Sequence, residues 1–189
     1  MNRVLMNFMA FQTCWFACVL GAAAGMPYLG PAFAAVWLPV HILATKSWFP
    51  VELKLILVAG VVGYLLDSFL VLGGWMSFPV HTQLGAPSTL WMVTLWLGFA
   101  ATLRHALGWL RGHYVVGTLL GALFGPFAYW SGSKFGAVVL TDTVPSLLAV
   151  GVEWLVAMPL LLMVAAQLER SRTDCKADDA APLLREECP

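Results

Sequence analysis

Six apolar runs follow one another along this chain, at residues 4–25, 29–45, 51–73, 88–110, 114–130 and 145–168, most of them near the length that carries a helix across about 30 Å of hydrocarbon. A segment in lipid has to satisfy its own backbone hydrogen bonds, so each run reads as a helix. The fold class that follows is all-α, a polytopic transmembrane bundle of about six spans within a single domain over 1–168. Composition closes the alternative: 60% of residues are hydrophobic and 11% charged, whereas a soluble domain carries about 25% charged residues. The formal net charge is zero and the basic residues sit at segment ends rather than on one face, which excludes a nucleic-acid-binding surface.

The first run follows Arg3 and ends in GAAAG, but it is too long for the core of a secretory signal and is broken by Gln12 and Trp15, so it reads as the first span. Lysine and arginine then set the expected orientation. With the N-terminus inside, Arg3, Lys46, Lys54, Arg104, Arg111, Arg170, Arg172, Lys176 and Arg185 all fall on the cytoplasmic side and only Lys134 outside. Both termini are therefore expected in the cytoplasm, with 169–189 a polar, disordered tail. Cys14 and Cys18 share a helix face, Cys175 and Cys188 lie in the tail, and none has metal-site spacing, so no metal and no cofactor are expected.

The stretch from Trp91 to Gly132 reads as a helical hairpin around a basic turn. Its second arm repeats Gly117, Gly121 and Gly125 on one face, the small-xxx-small pattern that lets a neighbouring helix backbone come close. Trp15, Trp37, Trp96 and Trp154 fall deep in their spans and either fill the bundle or line a cavity.

Chemistry rests on the ionisable residues inside the spans. Asp67 shares a face with Gly60 and Gly63, and Glu153 with Ser146, Ala149 and Ala157, so both carboxylates point into the bundle. Counting along the helices puts them in the outer half of the membrane, level with Tyr129 and Lys134, as a candidate polar cavity. Toward the cytoplasm, Arg104, His105, Arg111 and His41 are candidate contacts for a lipid headgroup or a phosphate. Arg104 either snorkels to the headgroups or clamps a phosphate, and Glu52 is placed to neutralise Lys54 or Arg104.

The run WxxxLWxxFAxTL from Trp91, GWL at Gly108, GALxGPxAYxxG from Gly121, and Glu153-Trp154 ahead of Pro159, together with Trp15, His41 and Asp67, resembles a family of small bacterial inner-membrane proteins known only as a domain of unknown function. The likeness spans about residues 10–168. It implies a multi-pass protein of the bacterial inner membrane, in a setting of enzymes that modify membrane fatty acids, including cyclopropane-synthase-like methyltransferases. Two functions stand side by side. One is a lipid-binding or accessory protein whose partners are membrane lipids and a membrane-associated lipid-modifying enzyme. The other is a small transporter or intramembrane enzyme that uses Asp67 and Glu153 as proton-exchanging groups.

Overall fold

The computed structural model describes residues 3–45 and 48–185, with side chains to residue 173. Lys46 and Cys188, and the side chains of Cys175, Lys176 and Arg185, lie outside the described residues. Six helices make the fold: α1 (Arg3–Ala23), α2 (Leu29–Ala44), α3 (Phe49–Leu72), α4 (Leu90–Leu103), α5 (Tyr114–Phe135) and α6 (Thr143–Arg185). Four of these, α1, α3, α5 and α6, are long and apolar enough to cross a membrane, while α2 and α4 are shorter apolar helices. The protein is a multi-pass membrane protein. The end of the bundle where α1 begins is called proximal below, and the opposite end distal.

Helix α4 departs most from the apolar run that encodes it. The run reaches residue 110, yet the helix stops at Leu103 and the chain turns through Arg104 into a short 3-10 helix, Gly108–Leu110. The Thr102 carbonyl accepts from His105 N at 3.0 Å and Leu107 N at 2.9 Å, which closes the turn. Asn7 of α1 holds it there, donating its side-chain amide to the Ala101 carbonyl at 3.0 Å and accepting from Ala106 N at 3.3 Å. A helix end leaves carbonyls and amides without partners, and a buried asparagine is one of the few side chains that can satisfy both at once. At its start α4 is capped by Thr89, whose hydroxyl accepts from Met92 N.

The remaining ends follow local chemistry. Pro50 stands in the first turn of α3, where its missing amide is no loss. Helix α5 runs five residues past its expected end to Phe135 and stops at Gly136, whose φ of 87° is a left-handed conformation that only glycine adopts without strain. At the distal end the loops after α3 and α5 pair as two short antiparallel strands, β1 (Met76–Ser77) and β2 (Val139–Leu140). Helix α6 continues past Leu168 into the stretch read as a polar tail, so Glu169, Arg170 and Arg172 are helical.

Small residues set the helix spacings. Cys14 and Cys18 are free, fully buried thiols one turn apart on α1, compact packing residues of which Cys18 lies against Gly30 of α2. A Cβ added to Gly30 would sit 2.6 Å from the Cα of Cys18. Gly117, Gly121 and Gly125 of α5 lie against Leu162, Met158 and Trp154 of α6, and a Cβ at Gly121 would meet the Met158 Cβ at 2.9 Å. Such contacts replace the hydrophobic effect, which gives no drive for helices to associate in lipid. Outward faces such as Val36, Leu72, Leu119, Leu123 and Val152 remain exposed and apolar.

Gly30→Ala is accordingly expected to destabilise the bundle by about 1–3 kcal/mol, because the Cys18 sulfur and, behind it, the Cys18 backbone, which cannot swing aside, block the new methyl group. Gly108→Ala, with nothing within 4 Å, serves as the neutral control. Equal unfolding temperatures for the two variants in detergent would refute the close α1–α2 contact.

Candidate functional site

Asp67 sits on the inward face of α3, fully buried, five residues from the helix end. Its donors come from other helices: Trp96 Nε1 of α4 donates to Oδ2 at 2.7 Å, and the Tyr129 hydroxyl of α5 donates to Oδ1. Room for the indole comes from Gly63, one turn earlier on α3, since a Cβ there would fall inside the Trp96 ring. Gly125 does the same for Trp154 of α6, one turn before Tyr129. The two indoles then stack, with centroids 4.9 Å apart and planes 16° from parallel, and Phe99 meets Trp154 edge-on at 5.2 Å.

Glu153 of α6 completes this centre. It is 5% exposed and close enough to interact electrostatically with Asp67 and Tyr129. Among the described residues neither of its oxygens has a hydrogen-bond partner, and the Trp154 Nε1 lacks one as well. Asp67 is thus satisfied by neutral donors while its neighbour is not, and a buried carboxyl without donors gains nothing that offsets loss of hydration. Lys134, grouped with these residues from its sequence position, lies elsewhere. It is exposed at the end of α5 with Nζ 5.7 Å from the Trp130 ring centroid, because the last turn of α5 rotates it away from the bundle.

An apolar groove of about 900 Å³ opens against this centre. Trp96, Tyr129 and Trp154 form part of its wall, with Phe11 and Trp15 of α1, Phe99 of α4, and Leu120 and Ala128 of α5. Lining residues run from Trp109 and Leu110 at the proximal end to Ser131 and Phe135 at the distal end, so the groove follows the helix axes. Phe16, Phe124 and Phe127 line its mouth and are exposed, which turns the opening toward lipid. The volume falls within the 300–1,000 Å³ of ordinary ligand sites.

A second, ionic centre occupies the proximal end. Glu52, in the first turn of α3, is fully buried; Arg104 Nη1 lies 2.5 Å and His105 Nε2 3.0 Å from its Oε1, and His41 Nε2 of α2 lies 3.6 Å from its Oε2. Glu169 of α6 accepts from Arg104 Nε at 2.6 Å and from Arg111 at 2.9 Å. The Arg104 side chain is 8% exposed and its guanidinium also covers the Trp48 ring at 4.5 Å. Arg104 is therefore turned into the bundle rather than out to the headgroups, with two of its five N–H donors held by carboxylates. Glu52 was legible as a partner for Arg104. Glu169 was not, although it continues the buried stripe of α6 one helical turn beyond Ala165.

A model of the family described as a protein of unknown function (DUF2878) matches residues 4–160. No curated protein and no solved structure matches the chain.

If Trp96 and Tyr129 act as donors to Asp67, Trp96→Phe and Tyr129→Phe each cost about 1–3 kcal/mol of stability in detergent, by leaving a buried carboxyl oxygen unbonded. In an Asp67→Leu background the same changes should cost much less. Equal costs in both backgrounds would show that the two side chains only fill space.

Proposed function

The chain belongs to the DUF2878 family, and we propose that it binds one long apolar chain of a membrane lipid in the groove between α1 and α5, with the polar end of that lipid near Tyr129 and Trp154. The observation that carries this reading is the coincidence of an axial, lipid-facing aromatic groove with a buried polar centre in its wall. An extended acyl chain has the shape of such a groove, and it already lies parallel to transmembrane helices. The unpartnered Nε1 of Trp154, whose ring forms part of the groove wall, is suited to a hydroxyl or carbonyl on the guest.

In this proposal the protein resides in the inner membrane of a bacterium with both termini in the cytoplasm, as the lysine and arginine asymmetry supports. It presents the lipid to an enzyme that modifies membrane fatty acids, the context that the family resemblance implies. A reporter fused after Leu168 that is active only outside the cytoplasm would reverse the orientation. The second reading, a transporter or enzyme in which Asp67 and Glu153 exchange a proton, is favoured by the two carboxyl groups lying close together with Glu153 unbonded.

One set of variants separates the two. Ala128→Phe should fill the groove and lower the amount of phospholipid that survives detergent purification, measured by native mass spectrometry, severalfold, without loss of thermal stability. Lipid retention unchanged by Ala128→Phe removes the groove as the binding site. Glu153→Gln should leave retention intact in the binding reading, whereas a proton-exchange role requires that the variant fail to restore a deletion strain, leaving its acyl chains as altered as without the protein.

A further inference from the structure

We propose that His41, Glu52 and His105 form a binding site for a divalent transition-metal ion, zinc by preference, at the proximal end of the bundle. This site is separate from the groove and does not depend on the lipid reading. One potential ligand atom from each residue lies within 4.8 Å of the others. Two imidazoles and one carboxylate are a ligand set that binds zinc and its neighbours while leaving further positions open.

The details of the cluster favour an ion over a closed hydrogen-bond network. His41 Nε2 and Glu52 Oε2 are both buried, both lack a hydrogen-bond partner among the described residues, and face each other at 3.6 Å. That separation is too long for a hydrogen bond, but it matches two ligands sharing an edge of a tetrahedral shell, which for zinc bonds of about 2.05 Å are roughly 3.3 Å apart. The two imidazoles meet edge to face with centroids 4.8 Å apart, so their nitrogens converge without the rings stacking.

Arg104 is the obvious objection, and its geometry answers it. The guanidinium binds Oε1 of Glu52, the oxygen that His105 Nε2 also meets at 3.0 Å, and leaves Oε2 free on the His41 side, so Arg104 holds the carboxylate in place without occupying the oxygen that faces His41. Its own charge is shared with Glu169, which also takes Arg111. With Arg104 and Arg111 matched by Glu52 and Glu169, a bound dication leaves the centre positive, and its open positions then suit water, hydroxide or a small anion. His105 is 27% exposed, which gives the ion a path from the aqueous end.

The test uses the full chain purified in detergent without a polyhistidine tag. Zinc is titrated and bound metal is counted after gel filtration, and cobalt is added in parallel to read visible d–d absorption. The expected result is one zinc per chain, cobalt bands of a four- or five-coordinate site, and a rise in unfolding temperature with zinc. His41→Ala and His105→Ala should each weaken zinc binding at least tenfold, while His113→Ala does not. His105 is partly exposed, so its replacement tests the site even if the His41 variant is unstable. Absence of zinc from the wild-type chain, or equal zinc binding and equal thermal response in His105→Ala, overturns the proposal.

Discussion

Two glycines, Gly63 and Gly125, let two indoles lie between helices, and most of the distal half depends on that interlock. Trp96 can cross α3 only where there is no Cβ, and in that position its Nε1 reaches Asp67. Trp154 can cross α5 only over Gly125, where it stacks on Trp96. One stacked pair thus ties α3, α4, α5 and α6 together and brings Tyr129 onto the remaining oxygen of Asp67. Van der Waals contact fixes the spacing of the helices, and the hydrogen bonds select the register.

Helix α3 carries the buried acid of both polar centres, and Glu52 and Asp67 lie roughly 22 Å apart along it at 1.5 Å per residue. Their surroundings differ in kind. Glu52 stands among guanidinium and imidazole groups at an end of the bundle, where arginine and histidine side chains converge from two other segments, α2 and the turn after α4. Asp67 accepts from an indole and a phenol, deep among apolar side chains. The first arrangement suits binding of ions. The second suits a polar group on an otherwise apolar guest.

Periodicity and length made the six helices legible, and the inward faces of Asp67 and Glu153 could be read from the glycines, alanines and serine beside them. The gathering of Tyr129 with these acids was also within reach, because depth along antiparallel helices can be counted. Other features depend on partners far away in the chain. Nothing near residue 103 announces that α4 stops there, since the stop is made by Asn7. His41, Glu52 and His105 show no ligand spacing because they come from three elements that meet only in the fold. Glu169 looked like the start of a solvated tail since charge resumes there, and its real neighbours, Arg104 and Arg111, are on the turn after α4. Lys134 was misplaced because depth alone says nothing of rotation about the helix axis.

The dependence of α4 on Asn7 has a consequence for biogenesis. At 14 residues, α4 extends about 21 Å, less than the hydrocarbon thickness, and its proximal end is closed by a side chain from α1, a segment made before it. Such a helix is a poor candidate for independent insertion into a bilayer. It becomes acceptable to lipid once α1 and α3 stand ready to cover its ends and flanks, so the N-terminal half of the chain acts as an intramolecular chaperone for the helix at the centre of the bundle.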